Sequence, residues 1–312
     1  MAYTSKQSYV LIGKESTWGT SVTADKDVGL VQNLSTDLSN TARKIFCLGT
    51  AEVQAIVAGR FEAGGSLEYK VQHGRFFEYI FGSVTHDDTN APDIKHTFAF
   101  AEDLPSFTLE DGYNSSTDTV KIFSGVKVGG ARIRLELDND LTVSADWLAK
   151  DVKPSDTASA KIVSTLPTLT SQMATVTIGG TTASEVQNVE ITINRNTERI
   201  YGLGSRVAQG MSSREFSIDF SGTIGFRNKD EVERLIGGSS VGEPTEFDFV
   251  LNVDNGETAG SGKRQFYIEL TDCIYNTLSK TASVGDFVYI DVAGHGKLSS
   301  CYMYDNITEA NW

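Results

Sequence analysis

The chain has 312 residues, 39% of them hydrophobic and 22% charged, with 29 Gly but only 5 Pro. This composition excludes a disordered or collagen-like chain and suits two domains of about 150 residues or one large all-β domain. The net charge of −14 is spread along the chain, 21 acids against 15 bases in residues 1–155 and 20 against 12 in residues 156–312, so neither half carries the basic footprint of a protein that grips nucleic-acid phosphates.

In chain order, the first ten residues lack the basic cluster and apolar run of a secretory signal, and no later run approaches the ~18 apolar residues of a membrane span. Synthesis in the cytoplasm is the expectation, and Cys47, Cys273 and Cys301, far apart and odd in number, read as free thiols in a reducing compartment. Leu34, Thr36 and Leu38 alternate with polar residues and predict a strand with one buried face. A long connection over residues 40–59 follows, then Phe77, Ile80 and Phe81 before Gly82, the pattern of a short amphipathic helix with a glycine C-cap. Ile133, Leu135 and Leu137, a turn at Asp138-Asn139-Asp140, and Leu141, Val143, Ala145 and Trp147 predict a hairpin with one wet face. The polar stretch 150–175, with Pro154 and Pro167, reads as an inter-domain connection.

The second half runs through the same series. Val189, Ile191 and Ile193 predict a strand, residues 195–213 a long connection, and Val232, Leu235 and Ile236 before Gly237 a short helix, with Asn228 and Glu231 spaced as a capping box. An Asp254-Asn255-Gly256 turn and a flexible Gly260-Ser261-Gly262 tip precede the strand residues Phe266, Ile268 and Leu270 and the segment 287–292. At an offset of 155 residues, 31–82 against 186–237, 11 of 52 ungapped positions are identical. The chain is therefore read as an internal repeat of two similar domains, 1–155 and 156–312.

Connections of nearly 20 residues inside compact domains are usually functional or disordered. The first carries Arg43, Lys44, Ile45, Phe46, Leu48, Ile56 and Val57; the second carries Arg199, Ile200, Tyr201, Leu203, Arg206 and Val207. Apolar residues on projecting arms point to surfaces that a partner buries, the alternative being arms folded back on their own domain. His73, His86, His96 and His295 form no metal-ligand pair, no phosphate loop or nucleophile elbow occurs, and Gly202-Leu203-Gly204-Ser205 lacks the rest of a dinucleotide fingerprint. We expect no enzyme activity, cofactor or metal.

Ile12-Gly13-Lys14-Glu15-Ser16-Thr17-Trp18-Gly19-Thr20 resembles the G-x-E-x-x-x-G-T opening of major tail tube proteins of tailed bacteriophages. Residues 104–112, 123–128 and the 133–147 hairpin are similar to the second half of that family's tube domain, while the second half of the chain lacks the Gly-Lys-Glu opening. The resemblance implies a mainly β fold: two tandem β-sandwich or barrel tube domains, each with one short α-helix and a long projecting loop or hairpin. It further implies a structural virion protein, made in the host cytoplasm, whose rings stack into the hollow tail tube. The inner wall would be a continuous sheet, and three two-domain chains would stand in for six single domains. Expected partners are further copies of the chain, the tape measure, terminator and distal tail proteins, and viral DNA passing without specific binding; no membrane is expected. Arg43, Lys44, Arg199 and Arg206 would be free to pair with acids across a ring junction. The alternatives are a distal tail or baseplate hub ring, and a β-sandwich adhesin or carbohydrate-binding module.

Overall fold

The computed structural model describes residues 5–113, 119–183, 185–226, 229–282 and 287–312. The first half contains β1 (Ser8–Lys14), β2 (Leu30–Ile45), β3 (Ala55–Lys70), α1 (Phe77–Phe81), β4 (Gly82–Asp87), β5 (Ile94–Phe100), β6 (Phe107–Tyr113), β7 (Thr119–Glu136), β8 (Thr142–Ala149) and β9 (Asp151–Ser155). The second contains β10 (Ala174–Ile178), β11 (Thr181–Ala183), β12 (Val186–Asn194), β13 (Glu198–Ile200), β14 (Gly210–Ser212), β15 (Ser217–Gly225), α2 (Asp230–Ile236), β16 (Phe247–Asp254), β17 (Gln265–Thr281) and β18 (Tyr289–Asp305). The fold is mainly β, as the sequence pattern predicts, and both helices end on a left-handed glycine, Gly82 at φ 111° and Gly237 at φ 85°. The helices themselves differ: every residue of α1 is buried and none of α2 is. Asn228 of the expected capping box lies outside the described residues.

One antiparallel sheet runs through both halves in the order β11-β10-β16-β17-β18-β15-β12-β7-β8-β3-β2. Its centre consists of two four-stranded units, β2-β3-β8-β7 and β12-β15-β18-β17, joined where β7 pairs with β12. Their registers correspond at constant offsets. Leu38 faces Ala63 as Ile193 faces Ile218, and the ladder is bulged between Val31 and Asn33 as it is between Val186 and Asn188. Likewise β7 is bulged against β8 between Val128 and Gly130, and β17 against β18 between Tyr275 and Thr277. The long strand β7 leaves this order in its first half to pair with β6 and β9, whereas β17 stays within it, its first half flanked by β16 and β18.

Sequence similarity between the units is low partly because volume is exchanged across strands. Gly65 stands opposite Trp147 in the first unit, while in the second Phe220 stands opposite Gly294. A Cβ on Gly294 would lie 2.7 Å from the Phe220 ring, and one on Gly65 would lie 1.9 Å from the Ser35 carbonyl. One large side chain fills the same gap from opposite strands, so total packing is kept although both residue types change.

The main apolar core spans the halves, with Phe76, Phe77, Phe81, Phe107, Phe123, Trp147 and Phe266 inside it, beside a small cluster of Tyr9, Leu11 and Ala24. Phe77 of α1 stacks on Phe266 of β17 at 5.0 Å, and β18 pairs with β5, setting Met303 opposite His96. The buried Asp305 carboxylate fastens this crossing, accepting from Gly74 N at 2.9 Å and Ile307 N at 2.7 Å and meeting His96 Nε2 at 2.9 Å. The stretch 150–175 is not a free connection: its start forms β9, and Leu169 N donates to the Val71 carbonyl while Leu141 N donates to that of Leu169. The Gly260-Ser261-Gly262 tip is also held, contrary to expectation. Gly260, Gly262 and Lys263 backbone amides all donate to Asp93 Oδ2, at 2.9, 2.8 and 2.8 Å. Backbone donors need a fixed acceptor, and Asp93 lies far away in sequence, so no local pattern announces it.

Asp27 sits buried beside His73 Nε2 at 2.9 Å and the Arg75 guanidinium. Burial alone would raise its pKa, but the His73 hydrogen bond and the charges of His73 and Arg75 outweigh it and hold the carboxyl below the usual value. A carboxylate lowered in the fold stabilises above its unfolded pKa of about 3.9 and loses that contribution as pH falls through the folded value. The melting temperature of the monomer is therefore expected to fall steeply below pH 4. An Asp27→Asn variant, less stable at pH 7, should follow a flatter acid limb in the same calorimetric series, and an unchanged slope would refute the assignment.

Candidate assembly surfaces

The opening motif is a clamp inside the sandwich. Glu15, 7% exposed, accepts from Gly19 N at 2.9 Å, Gly125 N at 2.8 Å, Ser106 Oγ at 2.7 Å and Thr108 Oγ1 at 3.0 Å. Trp18 Nε1 donates to the Gly125 carbonyl at 3.1 Å, and the Lys150 ammonium lies 4.7 Å from the Trp18 ring centre. Four donors on one carboxylate tie the loop after β1 to β6 and β7.

The first arm is a β-hairpin. β2 and β3 stay paired out to Ile45 and Ala55, whereas β8 accompanies β3 only from Ala63. At about 3.3 Å per residue the ribbon extends roughly 25 Å past the body of the sheet. Ile45, Phe46, Leu48, Ile56 and Val57 are all exposed on it, Phe46 at 59%, Ile56 at 68% and Leu48 at 103%. Arg43 and Lys44 are exposed and make no ion pair among the described residues. A lone ribbon of two strands is marginal in water, and this one holds its apolar residues exposed.

The second arm lies mostly against the base of the first. The Arg199 guanidinium donates to the Ala149 carbonyl at 3.2 Å and to that of Ala63, Tyr201 Oη donates to Phe61 O at 3.1 Å, and Arg206 Nε donates to Gly59 O at 3.0 Å. Phe61 N returns a bond to Arg206 O at 2.8 Å, and Arg60 stacks over the Tyr201 ring. Only the turn stands clear, with Ile200 exposed and Leu203 at 108%, while Val207 is partly buried. Arg199 and Arg206, expected to await acids on another ring, are thus already engaged within their own chain. The stretch β13–β14 is too short to project as a ribbon, and its arginines find open carbonyls on β3 and β8.

Several strands, β1, β4, β9 and β11 among them, have one neighbour among the described residues, and two such edges bound the joined four-stranded units. β2 pairs only with β3, and the last part of β17, from Ile274, pairs only with β18. Position in the sheet explains an imbalance between like residues: Val189, Ile191 and Ile193 of the central β12 are buried, whereas Leu38 of the edge strand is 48% exposed. The sheet face away from the core is polar. It carries acids (Asp37, Glu68, Glu136, Asp146, Glu190, Asp219 and Asp291) against Lys70, Arg132, Arg134 and Lys297, spaced by Ser, Thr, Asn and Gly. Arg134 meets Glu190 at 3.1 Å across the β7·β12 seam, and His295 meets Asp219. The edge of β17 went unnoticed in the sequence, where Tyr275 and Leu278 look like any buried strand face. Among the described residues no three His, Cys, Asp or Glu side chains gather as a metal site, and no helix is long and apolar enough to cross a membrane.

A mainly β protein with open strand edges, an apolar arm and a polar outer sheet face has the surface of a structural protein. A family model described as phage tail tube protein matches residues 5–292, and the chain belongs to that family. It is a structural tail tube protein, a component of the virion tail, and no curated protein matches it.

Proposed function

We propose that the chain is a ring-forming subunit of the hollow tail tube through which viral DNA passes. Two tube-like domains, 1–155 and 156–312, in each of three chains make a ring of six similar units, and the rings stack through the first arm. One observation carries this reading: the two four-stranded units already form a continuous wall inside one chain, and that wall ends in open edges. Its polar face, with acids in excess, suits a lumen that repels phosphates and lets DNA slide. The family's structural character supports a non-enzymatic role, and the tape measure, terminator and distal tail proteins are the further partners.

Electron microscopy of the purified, concentrated protein tests this. The expected result is long hollow tubes whose end views show six lobes from three chains. Isolated rings that never stack would shift the reading to a distal tail or baseplate hub ring, and permanent monomers to an adhesin or carbohydrate-binding module.

A further inference from the structure

The seam inside the chain is a template for the seam between chains. At the internal seam, β12 meets β7 with Val189 opposite Leu135, Ile191 opposite Ile133 and Ile193 opposite Ala131. The strand β2 occupies in the first unit the place of β12, 155 residues earlier, since both share one register and one bulge with their neighbours. The last part of β17 occupies the place of β7. Ala131 faces Ala145 on β8, and Leu278 faces Val292 on β18; Lys127 faces Leu148, and Ile274 faces His295. The correspondence is a constant 147 residues and passes through the bulge that both strands share.

From these two offsets we infer that a second copy of the chain pairs its β2 edge, antiparallel, with the β17 edge of the first, in a single register: Leu38 opposite Leu278, Thr36 opposite Lys280, Leu34 opposite Ala282. This rests on the tail tube reading above and deepens it by naming the contact. The transferred register keeps the two faces of the sheet distinct. Leu38, half exposed in the lone chain, comes to face the partly buried Leu278, while Asp37 faces Ser279 on the polar side. A slip of one residue would turn the apolar set of β2 to the polar face. The contact is head to tail, one edge against the other, so successive copies close into a ring or grow without end. It is also more polar than the internal seam, because Lys280 stands where the latter has Ile133 and already covers the Phe226 ring at 4.5 Å. A seam of this composition suits subunits that remain separate until assembly.

Disulfide trapping decides the register. Directly opposed Cβ atoms lie within about 5.5 Å and diagonal ones 7–8 Å apart, and a disulfide needs about 4 Å. In a Cys47→Ser background, assembled Leu38→Cys/Leu278→Cys protein should cross-link under mild oxidation about tenfold faster than Leu38→Cys/Lys280→Cys, which reports a two-residue slip. It should give a ladder that stops at the ring number. Electron microscopy and circular dichroism of the same samples check assembly and folding. Tubes that form while the slipped pair, or neither pair, cross-links would overturn this seam and leave the tail tube reading intact. Folded chains that neither cross-link nor assemble at any concentration would overturn both.

Discussion

If the first arm joins rings as proposed, replacing Phe46, Leu48 and Ile56 by serine is expected to leave rings that no longer stack. These side chains touch little of their own chain, so the monomer should lose less than about 0.5 kcal/mol, the usual range for exposed positions. Their value lies in the assembly. Each apolar side chain buried at a junction contributes roughly 1.5–3 kcal/mol, so three per arm amount to at least ~5 kcal/mol. At about 1.4 kcal/mol per factor of ten, the stacking constant should drop by a factor of a thousand or more. Sedimentation velocity would register this as a shift from tubes to single rings, with the thermal transition of the monomer unmoved. Full-length tubes from the triple variant would remove the arm from the stacking contact and leave the ring seam as the only assembly surface.

The second large effect concerns Glu15. Glu15→Ala removes the acceptor of two backbone amides and two hydroxyls, three of these bonds buried. Leaving buried donors unsatisfied costs about 1–3 kcal/mol each in the worst case, and a network of this kind falls in the tail of mutational effects, about 3 kcal/mol or more. The melting temperature should drop by roughly 5 °C or more. Glu15→Gln keeps the shape but turns a donor toward groups that are themselves donors, so it should restore only part of the loss. Scanning calorimetry of the three proteins checks the order wild type, Gln, Ala. A Gln variant as stable as wild type would mean that charge and acceptor count are immaterial, and that the motif acts by shape alone.

Much of the fold was legible in the residues because its causes are local. Period-two alternation located the 133–147 hairpin, and glycines after short apolar runs located both helix ends, Gly82 and Gly237. The 40–59 arm was visible as a long connection carrying apolar residues that its own length could not cover. What was not legible depends on distant groups. The Gly260-Ser261-Gly262 tip reads as flexible until Asp93 is brought beneath it. Arg199 and Arg206 read as free charges until β3 and β8 offer them carbonyls. The exchange of Gly65 and Trp147 for Phe220 and Gly294 hid the likeness of the two units from a residue-by-residue comparison, since packing conserves volume across a contact rather than at a position.

The mainly β class, the opening motif around Glu15, the two short helices and the presence of an apolar arm are written in the residues, because propensity, alternation and glycine conformation act within a few residues. Which arm projects, which strands are edges, and how the first unit joins the second through β7 and β12 emerge from the folded chain alone. Those outcomes turn on hydrogen-bond partners distant in sequence, fifty or so residues apart even at the β7·β12 seam, and a strand carries the same alternating pattern whether a neighbour covers its edge or leaves it open.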